Sequence, residues 1–289
     1  MKSINPVNAE LVAEYPEPSP DEVAAILTAA QDAFQAWRRT SFADRSGPVR
    51  RAGELLRERR DDLARLMALE MGKPLAQGRA EADKCAWGCE YYADNAEGFL
   101  AAEEVSTDAT RSLVSFAPLG VLLAVMPWNF PFWQAFRFAA PALMAGNVAL
   151  LKHASNVSGC ALAIEEILHD AGIPEDAFRT LLVPSSRVGA LIEAPEIVGV
   201  TLTGSTPAGL AVAAKAGACL KKSVLELGGS DPYVILEDAN LEKAAEACAT
   251  GRLINAGQSC IAAKRLIVVE PVLERFTELL VKRIAAGRM

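Results

Sequence analysis

A cysteine and a glutamate in the last third of the sequence have the types and spacing to perform chemistry. Cys260 closes the segment Gly257-Gln258-Ser259-Cys260, and Glu226 opens the earlier segment Glu226-Leu227-Gly228-Gly229 at the end of an apolar run. A cysteine thiolate can add to an aldehyde carbon, and a carboxylate kept out of bulk water can activate the water that later cleaves a thioester. The pair suggests covalent carbonyl chemistry, although neither segment establishes it alone.

An amide side chain follows the apolar run 121–126. Asn129 lies within Pro127-Trp128-Asn129-Phe130-Pro131, directly after that run. An asparagine at a strand end can donate to a developing oxyanion. The alternative is a proline-rich turn in which Asn129 only caps the next helix, and the five residues by themselves favour that alternative.

Two more polar segments follow later apolar runs. The segment 151–155, LKHAS, could present a cation and a hydroxyl to a nucleotide ribose or phosphate. The segment 203–206, TGST, opens a helical pattern whose backbone N–H groups favour a phosphate. A solvated lysine and an ordinary helix cap are the simpler interpretations, and the sequence has no G-x-G-x-x-G fingerprint to strengthen the nucleotide hypothesis.

The elements that must position these residues alternate between strands and helices after Pro118. Apolar runs predict strands at 121–126, 148–151, 181–183, 198–202 and 224–227, with helices near 132–144, 157–171, 186–193 and 206–217. This alternation predicts an α/β fold with a Rossmann-like, mostly parallel sheet and helices on both faces. Ligands of such sheets bind beyond the carboxyl ends of the strands, where the polar residues above are expected.

The remaining sequence predicts a helical beginning and the start of a second α/β domain. Helical spacing covers about 21–38, 48–71 and 76–103, an alternating strand covers 111–116, and the last part reads as strand 233–236, helix 241–252, strand 266–269 and a helix from 271. We therefore predict a dinucleotide-binding domain over 1–227, with a bridging or oligomerisation strand near 106–117, and a catalytic domain beginning at 228–289. The charged run 57–62 is interpreted as a solvated helix face.

Composition argues against several classes of protein. The 289 residues are 51% hydrophobic with a net charge of −7, which gives no general attraction to nucleic acid or anionic membranes. The apolar region 116–151 is interrupted by proline, asparagine and arginine too often for a membrane span. Six dispersed cysteines and two histidines predict reduced thiols, no metal site and a cytoplasmic protein. The cysteines other than Cys260 are expected to be small buried apolar residues.

Taken together, the segments PWNFP, LKHAS, TGS, ELGG and GQSC, in this order and with these intervals, resemble the aldehyde dehydrogenase superfamily. The resemblance spans nearly the whole chain, and its specificity comes from the ordered set. The residues around the segments, LLKHASNVSGC, KKSVLELGGSDP and GQSCIAAKR, are most similar to bacterial NAD(P)-dependent succinate-semialdehyde dehydrogenases.

The resemblance implies a role for each matched residue. Cys260 would attack the aldehyde carbon, and the amide of Asn129 with the N–H of Cys260 would stabilise the oxyanion. Hydride would pass to a nicotinamide, and water activated by Glu226 would hydrolyse the thioester. The positions that match dinucleotide contacts are Trp128, Asn129, Lys152, His153, Ala154, Ser155, Gly204, Ser205 and, through its backbone, Leu227.

Ser155 decides the expected cofactor. Many NAD-preferring members of the family carry a glutamate three residues after the lysine, where it accepts from a ribose hydroxyl and repels a 2′-phosphate. Ser155 is small and neutral at this position. We therefore predict NADP as the favoured cofactor, with NAD also accepted.

Arg137 decides the expected substrate. It stands eight residues after Asn129, where succinate-semialdehyde dehydrogenases place an arginine that binds the substrate carboxylate, a pairing that a guanidinium makes with two bonds. The alternative is a helix arginine paired with a nearby acid. Ile254 replaces a second carboxylate-binding arginine of some members, and Ala262 excludes the vicinal-cysteine switch of some relatives.

Members of the family continue beyond the point that matches this chain's last residue, with a ribose-binding segment, substrate loops and an oligomerisation strand. The resemblance thus implies a C-terminally truncated form, which leaves the strand near 113–116 as an unpaired edge and makes both turnover and the homo-oligomer of a full-length enzyme doubtful. Three alternatives stay open: a catalytically incomplete nucleotide-binding fragment, an enzyme for a different short aldehyde, and a cysteine hydrolase that uses His153 or His169 as its base.

Overall fold

The structure, a computed structural model, describes residues 1–287. The chain divides into two units, Met1–Glu226 and Leu227–Met289. This division falls one residue before the boundary expected from the sequence. Each unit contains its own parallel strand pairing.

The helices follow the sequence pattern with some changes in extent. In the described residues the α-helices are α1 (Pro20–Trp37), α2 (Phe42–Glu58), α3 (Arg60–Met71), α4 (Leu75–Phe99), α5 (Pro131–Met144), α6 (Ser158–Asp170), α7 (Val188–Glu193), α8 (Thr206–Ala218), α9 (Leu241–Leu253) and α10 (Glu270–Ala285). The first two begin at capping boxes, Ser19 with Glu22 and Ser41 with Asp44. In each box the serine oxygen accepts the backbone N–H of the acid, and the carboxylate accepts the backbone N–H of the serine.

The strands form one large sheet and three pairs. In chain order they are β1 (Lys2–Ile4), β2 (Leu11–Glu14), β3 (Glu103–Glu104), β4 (Leu113–Val114), β5 (Val121–Met126), β6 (Val148–His153), β7 (Phe178–Thr180), β8 (Ile197–Thr203), β9 (Lys222–Glu226), β10 (Pro232–Ile235) and β11 (Arg265–Val268). The five-stranded sheet has the order β7-β6-β5-β8-β9, and its neighbouring strands pair in parallel.

Helices cover both faces of the five-stranded sheet, as predicted. The chain runs outward from β5 through β6 to β7, and then crosses to the other side of β5 for β8 and β9. Because crossovers between parallel strands are right-handed, α5 and α6 lie on one face and α7 and α8 on the other. Helix α1 joins the α7 face, and α2, α3 and α4 pack behind α5 and α6. The α/β fold class is confirmed.

Two helix predictions are wrong in extent. The region 48–71, which was expected to be a single helix, is divided between two helices because Arg59 leaves helical geometry. The first of them, α2, also begins earlier than expected, at its Ser41 cap. The side chain of Arg59 there forms ion pairs with Glu166 and Asp170 of α6. The helix expected over 76–103 ends at Phe99, since the next residues pair as β3 with β4.

Several strand predictions also need correction. The strand expected at 181–183 lies at 178–180, where the residues pair in register with β6. The N–H of Leu181 still donates to the carbonyl oxygen of Leu151, and Leu181 and Val183 are buried outside the strand. The strand expected at 111–116 is reduced to β4, and its pairing with β3 means that it is not a wholly unpaired edge. The hairpin of β1 and β2 was not predicted, because both strands are short and largely exposed.

The second unit has a small α/β arrangement. Strands β10 and β11 pair in parallel, and α9 and α10 pack on them and on each other. Its core is a cluster of four buried side chains, Ile235, Ala245, Cys248 and Phe276. In neither unit do the described residues form a helix that is long and apolar enough to cross a membrane.

Candidate active site

The edge formed by the carboxyl ends of the five-stranded sheet collects most of the candidate residues. The order of strands reverses between β5 and β8, which is the place where open parallel sheets bind nucleotides. Trp128 and Asn129 follow β5, and Gly204 and Ser205 follow β8. The expected nucleotide residues of the first unit therefore flank the topological switch point.

The turn that carries Asn129 is held by a buried ion pair that the sequence did not reveal. Helix α5 begins at Pro131 with Phe130 as its N-cap and no side-chain cap from that residue. Instead, the carboxylate of Glu81 in α4 accepts the N–H groups of Phe132 and Trp133, at 2.9 and 3.0 Å. Lys73 forms an ion pair with Glu81.

Lys73 also supports the turn through a cation–π contact. Its ammonium lies 4.4 Å from the centre of the Phe130 ring, and its side chain is inaccessible to solvent. Burial lowers the pKa of Lys73, and the charge of Glu81 opposes that shift. This pair has no signal in the sequence, because the lysine and the glutamate are eight residues apart, which is not one of the spacings that mark partners within a helix.

His153 ties the end of β6 to the same turn. One ring nitrogen, Nε2, donates to the carbonyl oxygen of Pro131 at 2.8 Å, and Nδ1 accepts the N–H of Ala154 at 2.9 Å. These partners require the neutral ring with its proton on Nε2. Burial lowers the pKa of His153 to about 4. His153 therefore fixes backbone geometry, and Ala154 lies half-buried beside it.

Lys152 and Ser155 differ strongly in exposure. The sequence predicted that the strand would end at 151 and that Lys152 would follow it, but β6 continues to His153 and Lys152 is a buried residue within it. Burial lowers the pKa of Lys152. Its ammonium contacts the hydroxyl of Ser185 at 3.5 Å. Ser155 is exposed at the turn that precedes α6. A cation and a hydroxyl thus meet at the end of β6, and a second, exposed hydroxyl follows in the next turn.

The start of α8 presents donors at the end of β8. Ser205 is the N-cap of α8, and its hydroxyl oxygen accepts the N–H of Ala208 at 3.4 Å. The N–H of Gly204 donates to the carbonyl oxygen of Glu226 at 2.9 Å, which ties the ends of β8 and β9 together. Ser205 and Thr206 are exposed, so the positive end of the α8 dipole faces solvent.

Glu226 and Arg137 are brought together at this edge. Glu226 is the last residue of β9, and its Oε1 lies 3.2 Å from Nη2 of Arg137 in α5. The side chains are 54% and 36% exposed, respectively. The alternative to a substrate-binding role for Arg137 was a pairing with a nearby acid, and the structure shows such a pair. That the acid would be Glu226 was not predicted from the sequence.

A cavity of about 350 Å³ surrounds this ion pair. It lies along the α5 face of β8 and β9, and most of its wall is apolar. Met126, Phe138 and Pro141 line it, together with Arg137 and Glu226. Among the described residues that line this cavity, Glu226 is the one acidic residue. The two candidate site residues therefore share one apolar cavity of the first unit.

Cys260 belongs to the second unit, on the segment between α9 and β11. It is partly exposed, and its carbonyl oxygen accepts from the ammonium of Lys264 at 3.0 Å. The same ammonium donates to the carbonyl oxygen of Gly229 at 2.6 Å. Lys264 therefore connects Gly229 and Cys260 within this unit. Leu227, the first residue of the unit, is half-buried.

Backbone strain precedes the cysteine. Asn255, Ala256 and Gly257 have φ angles of 54°, 52° and 78° in succession. The left-handed region is costly for alanine and is tolerated better by asparagine, and strained residues concentrate where structure is held for a function. Asn255 is buried, and its amide donates to the carbonyl oxygen of Gln258 at 3.3 Å. The strained turn therefore sets the direction in which the chain enters Cys260.

The other cysteines differ from Cys260 in their surroundings. Cys85, Cys89, Cys160 and Cys248 are buried, as expected, while Cys219 is partly exposed. Burial raises the pKa of Cys89 to about 12 and also raises the pKa values of Cys85, Cys160 and Cys248. Since the thiolate is the nucleophile, these four thiols are poor candidates for covalent chemistry.

A doubly wound α/β sheet with donors around its switch point defines the class of nucleotide-binding α/β proteins. The sequence profile described as "Aldehyde dehydrogenase family" matches residues 1–289. The chain belongs to the aldehyde dehydrogenase family.

Individual relatives are similar over nearly the whole chain. A protein named probable succinate-semialdehyde dehydrogenase [NADP(+)] from Synechocystis is 54% identical over 98% of this chain and 63% of its own length. Succinate-semialdehyde dehydrogenase [NADP(+)] 1 from Mycobacterium bovis is 49% identical over 99% of this chain and 64% of its own length. The chain thus spans slightly less than two thirds of the length of these relatives.

A solved structure gives the same result for the fold. Succinic semialdehyde dehydrogenase from Streptococcus pyogenes, in complex with NADP+ as the cofactor, superposes with a TM-score of 0.96 at 35% identity. The match covers 99% of this chain and 63% of that chain.

Proposed function

We propose that the chain performs the NADP-dependent oxidation of a short aldehyde that carries a distal carboxylate, with succinate semialdehyde as the substrate. The observation that carries the proposal is the pairing of Arg137 with a carboxylate at the ligand-binding edge of the sheet. A guanidinium that binds one carboxylate in an apolar cavity can bind that of a substrate. The names of the relatives from Synechocystis and M. bovis support this substrate and cofactor.

The residues at the switch point fit a phosphorylated dinucleotide. Lys152, Ser155 and Ser185 offer a cation and hydroxyls at the end of β6, and the exposed start of α8 offers backbone donors. Ser155 is neutral and exposed, so it sets up no repulsion against a 2′-phosphate. Trp128 is exposed beside them and offers an aromatic surface. When bound, the nicotinamide supplies the hydride acceptor of the reaction.

The chain's own residues supply the covalent chemistry in this proposal. The sulfur of Cys260 forms a bond to the aldehyde carbon, and the amide of Asn129 and the N–H of Cys260 donate to the oxygen of the resulting adduct. Loss of hydride from that carbon leaves a thioester on Cys260. Glu226 takes a proton from the water that cleaves the thioester, which returns the thiol and releases the acid.

The cysteine-hydrolase alternative needs a histidine base, and both histidines of the first unit contact backbone groups. Both ring nitrogens of His153 are engaged with backbone groups, and Nε2 of His169 contacts the carbonyl oxygens of Glu175 and Phe178. The nucleotide-binding fragment stays as a second candidate, because the chain spans 63% of the length of its Synechocystis relative. It predicts binding of NADP without turnover of the aldehyde.

Assembly and location are part of the proposal. Leu113, Val114 and Phe116 are exposed apolar residues in and next to β4, which suits self-association through this hairpin. All six cysteines are free thiols, which is usual for proteins of a reducing cytoplasm. Light scattering measures the molecular mass of the chain in solution and so tests self-association. A Phe116→Ser variant with the same molecular mass in solution as the original chain would contradict association through this hairpin.

Formation of NADPH from NADP and succinate semialdehyde tests the proposed function. We expect Cys260→Ala to lower the rate by about 10³-fold or more, and Cys219→Ala, the matched change at the other partly exposed thiol, to leave it unchanged. Product without added NADP would support the hydrolase, and binding of NADP without any NADPH would support the fragment.

A further inference from the structure

We propose that Arg137 binds Glu226 when no substrate is present and exchanges it for the substrate carboxylate, so that a carboxylate-bearing aldehyde releases its own general base. This inference rests on the proposed function and concerns the same residues. It assigns Arg137 a second task, the positioning of Glu226, beside recognition of the substrate.

The geometry places the two tasks in competition. Nη2 of Arg137 is 3.2 Å from Oε1 of Glu226, and both side chains line the same cavity. A guanidinium can make a strong bidentate bond to one carboxylate in one plane. A substrate carboxylate that takes this face must displace Glu226, since the two anions would otherwise repel each other at contact distance.

The rest of the cavity makes the exchange favourable for one kind of ligand. Lys222 is the other cation among the residues that line it, and it stands at the opposite end of β9 from Glu226. The wall between them is formed mainly by apolar residues of β5 and α5, together with Val224 of β9, which suits a short methylene chain. An uncharged aldehyde of the same length would fit the cavity but could not displace Glu226.

The ion pair is weak enough to be exchanged. Its side chains are 36% and 54% exposed, and ion pairs of this exposure contribute little to stability. Glu226 is held at its backbone by the N–H of Gly204, so its side chain can leave Arg137 without disturbing β9. The exchange therefore requires only rotation of one side chain.

Equilibrium binding of butyrate tests the competition without cofactor or turnover. Butyrate carries the carboxylate and the methylene chain but no aldehyde, and its dissociation constant can be measured by ligand-observed NMR on the whole chain. Because Glu226→Gln removes the competitor, we expect butyrate to bind about threefold more tightly to this variant, the size expected for a half-exposed ion pair.

A matched control separates competition from a general change of charge. Glu193 pairs with Lys215 on the surface, and its side chain is 55% exposed. Glu193→Gln removes the same charge from a similar pair and is expected to leave butyrate binding unchanged. Arg137→Gln should abolish butyrate binding with or without Glu226→Gln, and Arg137→Lys, which keeps the charge, should restore part of it.

The inference is overturned if Glu226→Gln leaves butyrate affinity unchanged or weakens it, if Glu193→Gln has the same effect, or if no butyrate binds to either form. These results are independent of the proposed oxidation. NADPH formation without the butyrate effect would contradict the exchange alone, and the butyrate effect without NADPH formation would contradict the oxidation alone.

A kinetic consequence follows for an active chain. Since hydrolysis of the thioester needs a free Glu226, succinate semialdehyde should exceed butanal in kcat as well as in kcat/KM. The kcat advantage should disappear in Arg137→Gln. Equal kcat values for the two aldehydes in the original chain would contradict the exchange.

Discussion

The two units support their candidate residues in different ways. In Met1–Glu226 the turn with Asn129 and the end of β6 are fixed by buried groups, Lys73 with Glu81 and His153 with the backbone. In the second unit Cys260 follows a turn with strained φ angles, and the core is a cluster of four buried side chains. The candidate residues of the first unit thus lie on a framework held by buried polar groups, while the proposed nucleophile follows a strained turn in a unit with a small apolar core.

The largest effect should come from breaking the buried pair of the first unit. Lys73→Met leaves Glu81 charged and unpaired in the interior, which typically costs about 3–5 kcal/mol of unfolding free energy. Urea unfolding followed by tryptophan fluorescence reports this unit, since all four tryptophans lie in it. Lys215→Met breaks an exposed pair and should cost less than about 1 kcal/mol. Equal effects of the two substitutions would contradict a structural role for the buried pair.

Acid should weaken the same framework through His153. The pKa of His153 is about 4 in the folded protein, below the ordinary value of 6.5, so the unfolded chain binds this proton first as the pH falls. Unfolding free energy should therefore decrease between pH 6.5 and 4, by about 3 kcal/mol in total, with no change from this group above pH 6.5.

The variant His153→Leu isolates that contribution. It loses the two backbone contacts and starts less stable, but its unfolding free energy should fall less steeply over the same pH range. Urea unfolding at several pH values measures both slopes. Parallel slopes in the variant and the original chain would contradict a neutral, buried His153.

A carboxylate at position 155 should reverse the cofactor preference. In Ser155→Glu the new charge would face the 2′-phosphate from an exposed position, so we expect NADP to bind about tenfold or more weakly and NAD to change little. Ser155→Ala is the control, which keeps the site neutral. Calorimetric titration with both nucleotides measures this, and an unchanged NADP affinity in Ser155→Glu would place the phosphate elsewhere.

The smallest effect should come from relieving strain in the second unit. Ala256 has a φ of 52°, so Ala256→Gly should stabilise the turn by about 1 kcal/mol. Hydrogen exchange of the peptides around Cys260 should then slow about fivefold. Ala249→Gly within α9 lacks this benefit and should destabilise by a similar amount. Faster exchange in Ala256→Gly would show that the turn is not strained.

Sequence patterns predicted the parts of the fold that depend on local periodicity. The strands β5, β6 and β8 have long apolar runs, and the alternation of strands and helices was enough to predict a parallel sheet and the edge where Trp128, Lys152 and Gly204 lie. Strand β7 was misplaced because buried loop residues such as Leu181 have the same apolar pattern as a strand.

Contacts between distant residues could not be predicted in this way. Glu81 caps α5 from another helix, and Glu70 in the same way accepts the N–H groups of Gly159 and Cys160 at the start of α6. Neither acid has a local signature, because its partner is chosen by tertiary packing. The pairing of Arg137 with Glu226 likewise required the register of β9 beside β8.

The central claim is that Cys260 carries the acyl group and Glu226 removes it, and trapping of that acyl group tests it most directly. The variant Glu226→Gln is mixed with NADP and succinate semialdehyde, and the chain is digested and analysed by mass spectrometry. The account predicts about one NADPH per chain, followed by a stall, with a succinyl group on the peptide that contains Cys260. Steady turnover in this variant at the original rate, with an unmodified Cys260 peptide, would contradict it.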